Sequence, residues 1–509
     1  MKNLKNVKNM KALSLILAAT LMFAAGCSAD KSTDTIKVSV SDDDPTGIVT
    51  VVKTSSTTTA VSVAKTVTEA DIATAVKVSD GETITKAGTY ILEGEYTHTV
   101  TIDADKEDDV ILILNGVTIT SENGPAISAV KCNSLVISLA DGTVNTLTDA
   151  KEYADTSDSA PTGAVYSKND LTIEGDGTLI VTGNKKHGIV SKDNLYINGG
   201  NIEVSAKKDG LHSGDSLTVN AGTITIAESN EGMESEQITI NGGTIIINAK
   251  DDGINATSDE ITPVITINGG TVTVNSNGDG IDSNGNIELN GGLVYVSGAT
   301  NDGNAAVDYD GTFIANGGTL ISSGMSGMYQ SVSKNSENYV IDYISSSQIA
   351  AGTKVSLTDG STAICEFEVL KAANAILITS DALESGKEYT LKIGSETVSV
   401  TAGESSYQGM GGFGGQGGFG GRGGKGGNFN PGESNSEKPE GFDGEMPEGF
   451  GGKEPPEGFD GMTPPEGFGG NDNGNFNGEP PTGGFGPGNN GGQPGGNSGS
   501  SSGSGSNNS

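Results

Sequence analysis

Residues 208–256 read KDGLHSGDSLTVNAGTITIAESNEGMESEQITINGGTIIINAKDDGINA, and this stretch decides the fold. It contains two copies of one pattern, with turns that start at Asn220 and Asn241. An alternating apolar segment precedes each turn, as at 217–219, and another follows it, as at 223–226. Period-2 alternation of Val, Ile and Thr is typical of half-buried strands. A third, shorter segment follows an acidic residue and a glycine in each copy, so each repeat is expected to hold three strands.

The same turn recurs on both sides of this stretch. The turns start at Asn198, Asn220, Asn241, Asn268, Asn290 and Asn316. The steps are 22, 21, 27, 22 and 26 residues, and the longer steps carry insertions. Asn-Gly and Asp-Gly are expected to supply the positive φ angles of tight corners. Three strands and three corners make one triangular coil, and stacked coils pair equivalent strands. The sequence therefore predicts an all-β protein built on a right-handed parallel β-helix.

The first residues resemble the signal of an exported bacterial lipoprotein. Lysines precede an apolar run at 12–25, which is too short to span a bilayer stably as a helix. The run ends in Ala24-Ala25-Gly26-Cys27, similar to a lipobox, so Cys27 is the predicted lipidation site. We expect a lipid anchor as the sole membrane attachment, on the extracellular face of the bacterial cell membrane.

Composition divides the chain further. The predicted segments are a lipoprotein signal peptide at 1–27, a Ser- and Thr-rich linker at 28–75, the β-helix at 76–336, a small β-rich cap at 337–402 and a disordered Gly-, Pro-, Asn- and Phe-rich tail at 403–509. The cap is expected to cover a β-helix end that would otherwise expose unpaired strand edges. The linker and tail contain too few apolar residues to offset the entropy of ordering them.

The charge limits the possible partners. The 509 residues carry a net charge of −36 at pH 7. Such a surface repels nucleic acid phosphates and anionic lipid headgroups, which argues against both as ligands. It also repels acidic polysaccharides unless a divalent cation lies between the two. The absence of Trp argues against the flat aromatic platform of many sugar-binding modules.

An acidic residue precedes the glycine of the short third strand in successive repeats. The series is Asp209, Glu231, Asp252, Asp279 and Asp302, with Asp251 beside the third member. A second series lies three positions later and consists of His212, Glu234, Asn255 and Asp282. The residue next to the second series is apolar, so both series should face outward on one column of strands.

Acids in register indicate a bound cation. Carboxylates about 5 Å apart repel by about 1 kcal/mol in water and by more at lower dielectric. Hard oxygen ligands suit Ca²⁺ better than zinc or copper. We therefore predict Ca²⁺ as a cofactor, with ligands drawn from Asp209, Glu231, Glu234, Asp251, Asp252, Asp279, Asp282 and Asp302. His212, Asn255 and Lys208 are expected to contact a bound substrate. His187 lies at the same corner one coil earlier and is assigned no role.

These motifs carry a family resemblance. The segments Asp209-Gly-Leu-His, Glu231-Gly-Met-Glu and Asp251-Asp-Gly-Ile-Asn, in this order, resemble a clostridial-type family of β-helical carbohydrate-binding domains. That family is similar to the calcium-dependent pectate lyases of polysaccharide lyase family 9. The resemblance covers about 76–402. It implies a calcium-loaded, pectate-lyase-like β-helix that binds plant cell-wall polysaccharide such as polygalacturonate or cellulose, without a proven enzymatic activity.

Three functions remain open from the sequence. The first is a cell-surface lipoprotein that binds plant cell-wall polysaccharide in a Ca²⁺-dependent manner and has no catalytic residues. The second is a polysaccharide lyase acting by calcium-assisted β-elimination, which needs a basic side chain such as Lys208 or Lys250. The third is a structural stalk or matrix protein of the surface. We favour the binding module.

Overall fold

The computed structural model describes residues 50–51 and 67–405, and this part of the chain is nearly all β. The predicted signal peptide, most of the predicted linker and the tail from residue 406 onward lie outside the described residues. The described part has one helix, Glu69–Thr74, whose start is capped by the Thr68 side chain. It has no helix of the length and apolarity that crossing a membrane requires.

The structure confirms the predicted parallel β-helix. Ten parallel strands stack into one sheet, which we call the first face, so the β-helix has ten coils. In each coil the chain passes from the first face to a second face, turns at the Asn-Gly-Gly motif where one is present, and continues on a third face. Equivalent strands of successive coils pair in parallel, at a spacing of roughly 4.8 Å.

The bounds of the strands follow the three faces. The first face contains Thr83–Ile84, Val100–Asp103, Ile127–Lys131, Gly163–Ser167, His187–Ser191, Leu211–Ser213, Met233–Ser235, Ile254–Ala256, Ile281–Ser283 and Val307–Tyr309. The second face contains Val76–Lys77, Ser134–Leu139, Asp170–Gly175, Asn194–Ile197, Ser216–Val219, Gln237–Ile240, Val264–Ile267, Asn286–Leu289 and Phe313–Ala315. The third face contains Val144–Thr148, Thr178–Gly183, Asn201–Ala206, Thr223–Ser229, Thr244–Ala249, Thr271–Ser276, Leu293–Ser297 and Thr319–Gly324. Two long strands of the first coils bend from the second face to the third, and these are Gly88–Tyr96 and Asp109–Thr120.

Apolar side chains stack in register inside the coils. On the first face one such column is fully buried and consists of Ile189, Leu211, Met233, Ile254 and Ile281. The alternation read from the sequence therefore places every second side chain of these strands in the core. Each buried aliphatic side chain contributes about 1.5–3 kcal/mol relative to an exposed one. Cys132 and Cys365 are both buried and form no disulfide.

The asparagines of the turns form a ladder. Each side-chain amide donates to the side-chain oxygen of the asparagine one coil earlier, at 2.8–3.0 Å. The ladder consists of Asn198, Asn220, Asn241, Asn268 and Asn290. It satisfies polar groups at the corner that these five coils share, and it links them along the axis.

Glycine is needed at two corners for different reasons. The second glycine of the turn has a positive φ, for example 88° at Gly243, as predicted. The prediction is wrong for the glycine that follows the acidic residue, because its φ is not positive. That glycine is required by close approach. A Cβ at Gly253 would lie 2.2 Å from Cγ1 of Val274 and 2.4 Å from the carbonyl oxygen of Gly280.

The structure also confirms a small β-rich cap. The last third-face strand pairs antiparallel with Ala373–Ser380, which pairs antiparallel with Tyr339–Ile349. A second antiparallel sheet contains, in order, Thr50–Val51, Thr362–Glu368, Lys354–Asp359, Glu388–Ile393 and Glu396–Thr401. Tyr295 is buried between the last coils and the cap, and its hydroxyl donates to the carbonyl oxygen of Glu368 at 2.7 Å. The edge of the third face is thereby covered.

Candidate functional site

The acidic corner residues stack on the first face. Their backbone carbonyls accept hydrogen bonds from the glycine amides of the preceding coils at 2.9–3.0 Å. The first column therefore consists of His187, Asp209, Glu231, Asp252 and Asp279. The second column, three residues later in each coil, consists of His212, Glu234, Asn255, Asp282 and Asp308.

Two residues differ from the predicted columns. Ala305, and not Asp302, occupies the next position of the first column, because its carbonyl accepts the amide of Gly280 at 3.1 Å. The insertion between the third-face and first-face strands of this coil places Asp302 on an exposed loop outside the column. Asp308 was missed, although Val307-Asp308 continues the pattern of Ile281-Asp282.

Three carboxylates at one end of the columns converge without a cationic partner. One oxygen from each of Asp252, Asp279 and Asp282 lies within 4.8 Å of the others, and we call these residues the carboxylate cluster. Within residues 67–405, no Lys, Arg or His nitrogen lies within 4 Å of their oxygens. Backbone amides satisfy part of the cluster, since the amide of Asp279 donates to Asp252 at 2.7 Å and that of Ala305 donates to Asp279.

The electrostatics of the carboxylate cluster are unfavourable for three anions. Burial, together with repulsion from the neighbouring carboxylates, raises the pKa of Asp282 to about 8. The same causes raise the pKa of Asp279 to about 6, against a partial opposing effect from its backbone hydrogen bond. The pKa of Asp252 and that of Asp308 are also raised, again chiefly by burial. A bound cation would relieve this repulsion.

The donor set fits Ca²⁺. Calcium takes oxygen ligands at about 2.3–2.6 Å, so two ligands on opposite sides of one ion lie up to about 5 Å apart. The three carboxylates of the cluster each bring one oxygen within such a span of the others. Asn255 lies beside Asp282 in the second column, and its side-chain oxygen is buried with no hydrogen-bond partner in the described part of the chain. That oxygen is available as a neutral ligand.

The other end of the columns is internally neutralised. Asp209 is fully buried, and its carboxylate contacts Nδ1 of His187 at 2.8 Å, Nδ1 of His212 at 3.0 Å and Nζ of Lys208 at 3.3 Å. Glu234 contacts both Lys208 and His212, while Glu231 accepts from the Asn255 amide at 3.2 Å. We call His187, Lys208, Asp209, His212, Glu231 and Glu234 the mixed cluster.

The mixed cluster has the opposite electrostatic character. Burial alone would raise the pKa of Asp209, but hydrogen bonds from His187 and His212 hold it well below its usual range. Burial lowers the pKa of His187, whereas for His212 the hydrogen bonds to Asp209 and Glu234 outweigh burial and raise it. Burial and nearby carboxylates raise the pKa of Glu231 to about 7. The ring of His187, to which the sequence assigned no role, is buried against Asp209 and packs 4.8 Å from the His212 ring.

The remaining predicted residues lie at the margin. Asp251 is exposed beside the carboxylate cluster, and the side-chain amide of Asn230 reaches it at 3.5 Å. Lys250 is exposed and pairs with Glu228 instead of facing the columns.

Neither lysine suits the lyase alternative. Lys208 is partly buried, which would lower its pKa, but three surrounding carboxylates outweigh burial and raise it. A general base needs a pKa near the working pH, so a raised value holds this ammonium in its protonated form. Lys250 is paired with Glu228 away from the carboxylate cluster.

Comparison with known proteins identifies the family. A family model described as carbohydrate-binding domain-containing protein matches residues 79–263 and residues 235–406, more than half of the chain. The chain belongs to this carbohydrate-binding family. The resemblance read from its motifs is thereby confirmed.

Two individual relatives are also similar. A carbohydrate-binding domain-containing protein of Acetivibrio thermocellus is 39% identical over 141 residues, which is 27% of this chain and 49% of that protein. The match thus spans about half the length of that relative. A solved structure described as the polysaccharide lyase-like protein from C. thermocellum, gadolinium derivative, is 33% identical and covers 45% of this chain and 85% of its own, with a TM-score of 0.37.

Proposed function

We propose that this family member binds acidic plant cell-wall polysaccharide, such as polygalacturonate, through Ca²⁺ held at the carboxylate cluster. The observation that carries the proposal is the convergence of Asp252, Asp279 and Asp282 with no cationic partner in the described chain. An acidic protein and an acidic glycan repel each other. A divalent cation between them turns that repulsion into attraction.

The chain's own residues prepare the site for the ion. Asp252 and Asp279 are fixed by backbone amides of the following coil, so their positions follow from the strand register. The Asn255 oxygen supplies a neutral ligand beside Asp282. When bound, the ion would supply a positive centre that attracts the carboxylate oxygens of a uronate. This role needs no proton transfer, which agrees with the protonated state of Lys208.

The location of the protein is part of the same proposal. A lipid on Cys27 would attach the chain to the outer face of the cell membrane, and the following linker would hold the β-helix away from the bilayer. Polysaccharide outside the cell would then reach the first face.

Binding of the full-length chain to soluble polygalacturonate tests the function. The assay compares Ca²⁺ with excess chelator for the wild type, Asp279→Asn/Asp282→Asn and the control Asp302→Asn, which removes an exposed carboxylate outside the columns. We expect calcium-dependent binding by the wild type and the control. The double variant should lose tenfold or more, because calcium affinity depends on ligand charge.

Two results would contradict the proposal. The first is wild-type binding that is unchanged by chelator. The second is equal loss in Asp302→Asn and in the double variant. A neutral glycan, cellulose, assayed in parallel shows whether binding requires uronate carboxylates.

A further inference from the structure

The two histidines of the mixed cluster direct the same ring nitrogen at one carboxylate oxygen. Nδ1 of His187 lies 2.8 Å from Oδ2 of Asp209, and Nδ1 of His212 lies 3.0 Å from the same atom. Oε2 of Glu234 lies 3.4 Å from Nδ1 of His212. The chain has only three histidines, and two of them therefore meet here with two carboxylates.

Three successive coils supply these side chains, so the stacking of the β-helix holds them together. His187 belongs to one coil, and Asp209 and His212 belong to the next. The amide of Gly188 donates to the carbonyl oxygen of Asp209 at 2.9 Å, which fixes the two corners against each other. Glu234 lies in the third coil and pairs in register with His212. The cluster is therefore positioned by backbone register as well as by its own side-chain contacts.

One oxygen at the centre of this group accepts no hydrogen bond. Asp209 is fully buried, and its Oδ1 has no hydrogen-bond partner within residues 67–405. A buried oxygen in that state is costly unless a cation lies against it. The cation here is the ammonium of Lys208, which lies 3.3 Å from Oδ1 of Asp209 and 3.3 Å from Oε2 of Glu234. The Lys208 side chain is 40% exposed, so its ammonium can move into solvent.

Imidazole nitrogen distinguishes this group from the carboxylate cluster. Ca²⁺ takes about six to eight oxygen ligands, whereas imidazole suits zinc, copper, iron and nickel. Zinc holds His and carboxylate ligands at about 2.0–2.2 Å in a tetrahedral arrangement, so neighbouring ligand atoms lie roughly 3.4 Å apart. The separations of 2.8, 3.0 and 3.4 Å are at or somewhat below this value, so small side-chain rotations suffice to admit the ion. The protons of the hydrogen bonds leave when the metal binds.

We propose that two imidazoles and two carboxylates of the mixed cluster bind a divalent transition-metal ion such as Zn²⁺, at a site separate from the carboxylate cluster. The ligands are His187, Asp209, His212 and Glu234. The ammonium of Lys208 neutralises the carboxylates in the metal-free chain and moves into solvent when the ion binds. The inference does not rest on the proposed function, since it concerns a different ion. Because the ion joins three coils, zinc should also raise the Tm.

Zinc titration of the full-length chain in excess Ca²⁺ tests the site. The proteins compared are the wild type, His187→Gln and the control His98→Gln, which changes the one histidine outside the mixed cluster. His98 is exposed and pairs with Asp80 at 3.0 Å. We expect one saturable zinc site in the wild type and in the control. The affinity of His187→Gln for zinc should be lower by about tenfold or more, because one of four ligands is lost.

A further variant, Lys208→Met, predicts a gain of affinity that misfolding cannot produce. Methionine keeps much of the aliphatic stem and removes the ammonium that the metal has to displace. The affinity for zinc should therefore rise roughly three- to tenfold. Replacing zinc by Co²⁺ should give visible absorption in the wild type that is lost in His187→Gln, which reports ligation by the imidazole.

Two results would overturn the metal site. The first is the absence of zinc uptake by the wild type in excess Ca²⁺, and the second is equal zinc affinity in the wild type and His187→Gln. An unchanged affinity in Lys208→Met would overturn the exchange with the ammonium. Asp279→Asn/Asp282→Asn separates this site from the proposed function. Zinc uptake retained in that variant supports a separate site, and zinc uptake lost there would assign the ion to the carboxylate cluster and overturn the inference.

Discussion

Asp209 and Asp282 belong to the same repeated acidic pattern but differ in protonation. Both acids lie on the first face beside a Gly-Leu or Gly-Ile pair, and both are substantially shielded from solvent. Histidines and a lysine surround Asp209 and keep it ionised, whereas other carboxylates surround Asp282 and favour its protonated form. The carboxylate that lacks cationic neighbours is the better ligand for an added cation.

The pKa of Asp282 predicts an inverted pH dependence of stability without metal. The folded-state pKa of Asp282, about 8, lies above its usual value of 3.8, so the folded chain retains a proton that the unfolded chain releases. The contribution of Asp282 to the free energy of unfolding is therefore fully present below about pH 4 and is lost as pH rises to about 8. In chelator, thermal unfolding should show a smaller pH-dependent loss of Tm in Asp282→Asn than in the wild type.

Calcium provides the matching control for this pH effect. Ca²⁺ binds the deprotonated carboxylates and the folded state, so it should raise the wild-type Tm more at about pH 8 than at about pH 5. A wild-type Tm that does not respond to Ca²⁺ at about pH 8 would contradict the assignment of the carboxylate cluster as a metal site.

At the residue scale, the sequence predicted the acidic columns but not which members act together. Charge repeats are visible in the sequence, whereas neutralisation depends on where long side chains such as Lys208 end. The prediction that Asp302 belongs to the first column was wrong. The sequence does not show the path of the insertion before it, and this insertion places Ala305 in the column instead. The burial of the His187 ring against Asp209 of the next coil was not predicted, because the sequence does not show how the side chains of successive coils pack.

At the element scale, the asparagine ladder predicts a graded loss of stability. Asn241 both donates to Asn220 and accepts from Asn268, whereas Asn198 only accepts from Asn220. Each link contributes about 0.5–1.5 kcal/mol. Asn241→Ala should therefore lower the free energy of unfolding by about 1–3 kcal/mol, and Asn198→Ala by about half as much.

Denaturant unfolding of these variants measures the ladder. Asn301→Ala serves as the control, because Asn301 lies on an exposed loop and its side-chain oxygen accepts from the nearby amide of Gly303, with no link to another coil among residues 67–405. Equal losses in all three variants, or no loss in Asn241→Ala, would show that the ladder does not stabilise the stacking of coils.

The elements could be predicted because one short period dictates them. Three strands per repeat follow from alternation and turn residues. The early strands, such as Asp109–Thr120, form the same parallel pairs although the steps between their coils are longer. The cap has no period, so its strands were predicted without their pairing. The antiparallel contact of Ala373–Ser380 with the last coil, and the burial of Tyr295 beneath the cap, depend on tertiary packing that no local pattern reports.

At the scale of the whole molecule, regular stacking converts a sequence repeat into a charged surface. The core columns fix the register of each coil, and the register places the corner residues one strand spacing apart. A sequence that changes from lysine and histidine to aspartate along successive repeats therefore forms a surface with a basic end and an acidic end.

Calcium titration of the full-length chain by isothermal calorimetry at about pH 8 tests the central claim most directly. The wild type, Asp282→Asn and Asp302→Asn are compared. The carboxylate cluster predicts saturable calcium uptake by the wild type and by Asp302→Asn, with affinity reduced about tenfold or more in Asp282→Asn. Equal uptake by all three proteins, or none by the wild type, would contradict it.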